Sequence, residues 1–236
     1  MRSRGVVVFL CWWMAGFTYA LNTPEVNPHL PQFIIGYGSL MQEHSKRQSA
    51  QQVGSNYPVM VKHFERAWCV WGKRRGLNTT YLGVRPNKAR QFNAVYYQVA
   101  AKDLPTYDKR ERHYQRVNVG LQDLQALTKK PLPDGQYWLY VVRKVRQPPH
   151  QNYPILQSYV DIFLAGCLEL QARFHLPHFA RQCITSTNNW HNSWVNDRAC
   201  KAEPRMASLH TQQRVDKLLQ TYLPVLFKHI KPLNKA

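Results

Sequence analysis

Residues 33–41 read Phe-Ile-Ile-Gly-Tyr-Gly-Ser-Leu-Met, and the rest of the chain is best understood outward from them. The run from Gln32 to Ile35 predicts a buried strand, and Gly36-Tyr37-Gly38-Ser39 ends it in a tight loop. Glycines let a backbone turn sharply and bring several N–H groups to bear on one point. Such a nest suits a carboxylate or phosphate, and the Ser39 hydroxyl adds a donor. A strand-ending turn with a packed tyrosine fits the same residues.

Glu111 is the second residue of the chain that could carry chemistry. With Asp103 as N-cap and an advance of about 100° per residue, a helix over Asp103 to Gln115 puts Leu104, Tyr107, Glu111 and Tyr114 on one stripe. Lys109, Arg110, Arg112 and His113 point elsewhere. An acid therefore sits on the aromatic, inward face of a helix whose outer faces carry bases. Burying a carboxylate without a partner is costly and raises its pKa toward neutrality, which is what a general acid/base needs. An ordinary buried ion pair, for example with Arg85 or Arg116, is the other reading of the same placement.

Around these two pieces the chain has an α+β order. Strand-like runs occur at Val59–Val61, Ala67–Trp71, Tyr81–Val84, Phe92–Val99 and Tyr137–Val145. The polar stretch Glu43 to Val53 predicts a short surface helix or loop. Ile155 to Phe174 and Thr211 to Phe227 are longer helical segments, amphipathic by spacing. Alternating βαβ units are absent, which argues against a doubly wound parallel sheet. No internal repeat is visible. Residues 1–20 read as a signal peptide and 21–31 as an extended, proline-containing lead-in. A core over 32–147 and a helical part over 148–236 meet at Pro148-Pro149.

Of 236 residues, 44 % are apolar and 12 % aromatic, which rules out global disorder. No interior apolar run reaches the length of a membrane span, which excludes a polytopic membrane protein. Lys and Arg number 32 against 13 Asp and Glu, a net charge of +19. A field of that sign favours anionic partners such as nucleic acid, acidic lipid or polyanionic envelope polymer. Arg2 and Arg4 precede an apolar stretch from Gly5 to Phe17, and Thr18-Tyr19-Ala20 offers small residues at a cleavage site. These features predict export to the periplasm or medium with cleavage after Ala20, an uncleaved membrane anchor being the alternative. Cys69, Cys167, Cys183 and Cys200 then remain, too widely spaced for paired CxxC zinc ligation but able to form one or two disulfides, with three full pairings open. His175 and His178, even with Cys183, read as surface or helix-end residues rather than metal ligands. No metal or cofactor is expected.

Taken together, residues 33–41, a Gly83 strand, Asn93-Ala-Val-Tyr-Tyr and Leu104-x-x-Tyr-Asp-x-x-Glu111-x-x-Tyr114-x-Arg-Val resemble the γ-glutamylcyclotransferase-like family. That family includes the ChaC-type glutathione-degrading enzymes and the γ-glutamylamine cyclotransferases. Its pattern is a Tyr-Gly-Ser loop followed well downstream by a helix bearing one glutamate. Tyr159 with Gly166 resembles a late Tyr-x(6)-Gly of the family. Asp161 to Arg198, with Trp190-x(3)-Trp194-x-Asn-Asp-Arg, resembles an extension in some bacterial and plant members.

The resemblance implies a small mixed β-barrel with helices, extended here by the helical C-terminal part. It also implies an intramolecular aminolysis, in which a γ-glutamyl unit closes on itself to 5-oxoproline and releases an amine or amino acid. Glu111 would be the catalytic acid/base. Tyr37, Gly38, Ser39 and Leu40 would bind the glutamyl unit, with Tyr114 and Tyr159 as pocket walls or donors. The implied partner is a small γ-glutamyl substrate, with contact to an anionic envelope surface as a second expectation and no specific nucleic acid. Two departures matter: Leu40 stands where many members have Asn, and the leader is unexpected for glutathione turnover.

A different reading is a catalytically inactive cationic protein that binds envelope polymer or nucleic acid. It would use Lys73-Arg74-Arg75, Lys109-Arg110 with Arg112, and Arg143 to Arg146, set among Trp68, Trp71 and Trp138. A Cys/His hydrolase built on Cys167 or Cys183 has no local signature to support it.

Overall fold

A computed structural model describes residues 25–47, 53–112, 114–143, 148–200 and 207–233. The expected leader, residues 1–20, lies outside the described residues, as does most of the Arg143 to Arg146 cluster. Strand β1 (Gln32–Gly36) is buried along its whole length. It runs antiparallel to β3 (Leu77–Val99) and parallel to β6 (Gln136–Val142), so the sheet is mixed. With β2 (Tyr57–Arg74), β4 (Tyr114–Val119) and β5 (Leu124–Ala126), the strand order is β4-β6-β1-β3-β2-β5. β8 (Thr187–Asn188) adds a parallel pair on β2. The sheet curls into half a barrel, and helices pack against it.

Four of the expected short strands are pieces of the two long strands β2 and β3. These form one hairpin, turned at Arg75 and Gly76, both at positive φ (53° and 83°), a geometry that suits a two-residue hairpin loop. The alternation is interrupted because pairing shifts register between Lys62 and Phe64 and again between Trp68 and Val70. His63 bulges at φ 63°. Bulges of this kind bend a strand and add twist, which helps the sheet curl.

The helices are α1 (Glu43–Arg47), α2 (Leu104–Arg110), α3 (Gln157–Arg173), α4 (Phe179–Thr185), α5 (Leu209–Tyr222) and α6 (Pro224–Lys228). Three expectations need correction. The helix expected over Asp103 to Gln115 stops at Arg110: Glu111 leaves helical geometry (φ −91°, ψ 31°), and Tyr114 already pairs with Val142 in the sheet. The longer segment from Ile155 is buried on nearly every side instead of amphipathic, because α4 and α5 cover the face turned away from the sheet. The last helix breaks at Leu223, since Pro224 has no N–H to continue the ladder and starts α6.

β1 alternates between two hydrophobic cores, as a strand with side chains of period two must when both faces are covered. Ile34 packs with Trp68, Tyr97, Trp138, Phe163 and Phe179 beneath the helices. Phe33 and Ile35 face the opposite side with Val59, Phe92 and Leu139. A small second sheet joins β7 (Ile155–Leu156), β9 (Trp194–Asn196) and β10 (Lys231–Pro232). The Asn-Asp-Arg segment ties back to α3. Asp197 accepts from the Ser158 amide (2.8 Å) and hydroxyl (2.6 Å), and Arg198 bridges Asp161 (2.6 Å) and Asp216 (2.8 Å). Cys167 on α3 and Cys183 on α4 form a disulfide, while Cys69 and Cys200 are free thiols.

Candidate active site

The Tyr37–Leu40 turn and the Glu111 carboxylate come together at one pocket. Its lining is Ile35, Tyr37, Gly38, Ser39, Leu40, Leu82, Arg110, Glu111, Tyr114, Tyr140 and Tyr159, around a small cleft that opens to solvent. All seven residues proposed from sequence are present. Glu111 is the one acid in that lining and Arg110 the one base.

β1 delivers the turn. After Gly36 the chain tightens into a 3-10 turn over Ser39–Met41, closed by Met41 N–H to the Gly38 carbonyl (3.0 Å) and Gln42 N–H to the Ser39 carbonyl (3.3 Å). Helix α3 presses on this turn at two points. A Cβ on Gly38 would lie 2.7 Å from the Tyr159 hydroxyl, and one on Gly166 would lie 2.5 Å from the Met41 carbonyl carbon and the Gln42 nitrogen. Tyr159 and Gly166 are seven residues apart and so share a helix face. Their spacing is the imprint of one loop lying across two turns of α3. The Ser39 backbone also acts on the Tyr159 phenol, partly offsetting the rise in pKa that burial causes.

Glu111 is placed by the end of α2 and the turn that follows. Its N–H donates to the Tyr107 carbonyl (2.8 Å), and its own carbonyl accepts from Tyr114 N–H (2.7 Å), which starts β4. The side chain is 20 % exposed at the pocket mouth, and Arg110 Nε lies 3.1 Å from Oε1. Desolvation raises the Glu111 pKa, and Arg110 pulls in the opposite direction. The ion-pair partners considered from sequence are engaged elsewhere: Arg85 bonds Glu65, and Arg116 bonds Asp108 (2.9 Å).

The phenols around the pocket are held protonated. Burial raises the pKa of Tyr37, Tyr114 and Tyr159, and the Glu111 charge acts on all three in the same sense. Tyr37 donates to the Tyr140 carbonyl (2.8 Å), and Tyr140 donates to Asp108 (2.8 Å). These phenols line the pocket as neutral groups, with the Tyr37 and Tyr140 hydroxyls committed to acceptors within the protein. Glu111, its pKa raised by burial, is left as the carboxyl group of the lining able to exchange a proton.

Sequence reading missed Tyr140, Leu82, Ile35 and Arg110 as lining residues. The first three lie in apolar strand runs where core and pocket positions look alike. Arg110 was assigned to an outer helix face, but α2 ends there and leaves it beside Glu111. The other motifs have structural roles. Cys183 is bonded to Cys167, and among the described residues no cluster of His, Cys, Asp and Glu is placed to hold a metal ion. Trp68 and Trp138 have no exposed surface, so neither offers a stacking face to a nucleic acid. Trp190 stacks on Trp194 (5.2 Å) and meets Trp68 edge-on (5.1 Å).

A half-barrel sheet with a glycine turn leading from a buried strand to one carboxylate is the architecture of a cyclotransferase-like protein. The family described as Gamma-glutamyl cyclotransferase, AIG2-like, matches residues 34–159, just over half of the chain. The match ends at Tyr159, short of the Asp161–Arg198 segment. A solved structure named Gamma-glutamyl cyclotransferase superposes with a TM-score of 0.53 at 11 % identity, covering 79 % of this chain and 99 % of its own. An uncharacterized protein from Homo sapiens does so with a TM-score of 0.52 at 10 % identity, covering 78 % and 96 %. None of the curated proteins compared with the chain matches it. The protein belongs to the gamma-glutamyl cyclotransferase, AIG2-like family.

Proposed function

We propose that the protein cyclises a γ-glutamyl peptide or amine to 5-oxoproline. The observation that carries this reading is the convergence of Glu111 and the Tyr37–Leu40 turn on one pocket whose lining holds no other acid. The α-amino nitrogen of the γ-glutamyl unit attacks its own γ-carbonyl carbon. As the new C–N bond closes the five-membered lactam, the proton lost by that nitrogen passes to Glu111. The same carboxyl returns it to the departing nitrogen as the old amide C–N bond breaks, so nothing is oxidised and no group is left on the protein. A carboxylate with a raised pKa suits both transfers, because raising it narrows the energy gap between its acid and base forms. The turn holds the glutamyl carboxylate and bends the chain so that nitrogen meets carbonyl, a proximity effect. Tyr114 and Tyr159 close the walls.

In this reading the protein acts outside the cytoplasm on γ-glutamyl peptides or γ-linked envelope fragments, and its positive surface keeps it near anionic envelope material. The net charge alone favours the second reading, an inactive cationic binder, whereas the burial of Trp68 and Trp138 counts against an aromatic nucleic-acid platform. The test is 5-oxoproline release from glutathione, γ-glutamyl dipeptides and γ-glutamyl amines. The parent should turn over at least one class, and Glu111→Gln, which keeps the shape and removes the base, should fall by at least about a hundredfold. Absence of 5-oxoproline from every substrate with a folded parent would reject the enzyme and leave the binder.

A further inference from the structure

Arg66 lies on β2 directly behind the pocket with no exposed surface. Its guanidinium meets only uncharged groups. Nε donates to Thr187 Oγ1 (2.7 Å) and Nη1 to the Asn93 carbonyl (2.7 Å). Nη2 donates to Asn93 Oδ1 (3.1 Å), the Cys183 carbonyl (3.0 Å) and Ser186 Oγ (3.2 Å). The rings of Phe92 and Phe163 flank it at 5.3 and 4.8 Å. Glu65, its neighbour in sequence, is on the other face of the strand and bonds Arg85 and Asn87. Burial pulls the Arg66 pKa down to about 9, and the one ionisable group acting on it is the Tyr159 phenol, a wall of the pocket.

A sealed charge balanced only by dipoles is expensive, and natural interiors usually pair it. This one is joined to the substrate turn: Nη1 points at the Tyr37 carbonyl (3.4 Å). Across a trans peptide the carbonyl and the next N–H point in opposite directions, so a Tyr37 carbonyl held toward Arg66 turns the Gly38 N–H away from it. Gly38 lines the pocket, whereas Arg66 does not. The positive field of Arg66 therefore reaches the turn through peptide and aromatic material of low dielectric, where screening is weak.

We propose that Arg66 is a positioning charge for the substrate: sealed behind the Tyr37–Leu40 turn without an acid beside it, it makes that turn select a ligand carrying a carboxylate. The inference rests on the cyclotransferase reading and adds the source of its carboxylate preference. It also explains why the interior keeps a charge that an apolar residue would replace at lower cost.

Calorimetric binding of two probes to the full chain tests it. One probe is γ-glutamylalanine; the other is 4-aminobutanoylalanine, the same molecule without the α-carboxylate. Both are titrated in a Glu111→Gln background, which holds substrate without turning it over. That protein should prefer γ-glutamylalanine, and adding Arg66→Met should weaken γ-glutamylalanine roughly tenfold with little change for its analogue. Arg66→Lys, which keeps the charge, should restore part of the preference. Ser186→Asp approaches Nη2 from a polar groove on the far side and supplies a counter-charge without deleting the guanidinium. It should reduce the preference in the same way, and it keeps the test decisive if Arg66→Met does not fold. Equal weakening of both probes, or an unchanged preference in Ser186→Asp, would overturn the proposal. Turnover by the parent with an unchanged preference would leave the enzyme standing and remove only Arg66 from its recognition. A folded Glu111→Gln protein that binds neither probe would overturn both.

Discussion

At the scale of single residues the proposed chemistry rests on Glu111, and its neighbour Arg110 bears on the pH at which it would act. Burial raises the Glu111 pKa and Arg110 lowers it, so removing the arginine moves the pKa further up. A general base must be deprotonated, so activity should rise with pH as Glu111 loses its proton. Arg110→Ala should shift that acidic limb of the kcat/KM profile to higher pH, and a profile identical to the parent's would show that the ion pair at 3.1 Å has no catalytic consequence. Glu111 was legible from sequence for a reason only partly correct. The expected stripe continued the helix through Tyr114, whereas the helix ends at Arg110. The inward placement survives because Glu111 still bonds the Tyr107 carbonyl as the helix closes. Arg66 was not legible at all, since nothing local marks which arginine among many will lie behind a turn 29 residues away.

The loop-on-helix contact is the decisive feature among the elements. Gly166 lets the 3-10 turn lie on α3, and the nearest atoms to an added Cβ are backbone, which cannot rotate aside. Gly166→Ala should therefore lower unfolding stability by about 1–3 kcal/mol and reduce turnover with it, because the Tyr37–Leu40 turn must move off the helix. Denaturant unfolding with parallel assays measures both, and loss of stability without loss of activity would separate the packing from the site. The disulfide joins α3 to α4 over 16 residues of sequence. Its removal by Cys167→Ser with Cys183→Ser should cost about 3 kcal/mol on the chain-entropy account. Sequence left three pairings open because spacing does not tell which helices are adjacent. Cys167 and Cys183 are brought within 6.6 Å at their Cα atoms by helix packing, whereas Cys69 belongs to the sheet, against Gly83.

For the molecule as a whole, charge and chemistry should separate. A pocket that encloses its ligand over buried groups is screened far less than an exposed surface. Turnover should thus change by no more than about twofold between low and physiological salt, while retention on vesicles rich in anionic lipid should fall steeply over the same range. Retention that ignores salt would show that the net charge of +19 does not hold the protein there. Much of the whole was readable in advance: a buried strand ending in a glycine turn, an acid held among aromatics and an α+β order. These rest on local rules of periodicity, glycine freedom and charge, which act between residues close in sequence. Tertiary structure alone decided that four short runs are one bulged hairpin, that Tyr114 starts a strand, that Arg110 rather than Arg85 or Arg116 meets Glu111, and that Arg66 lies behind the turn. Strand pairing, ion pairing and burial in low dielectric join residues far apart along the chain, and no local pattern encodes which of them will meet.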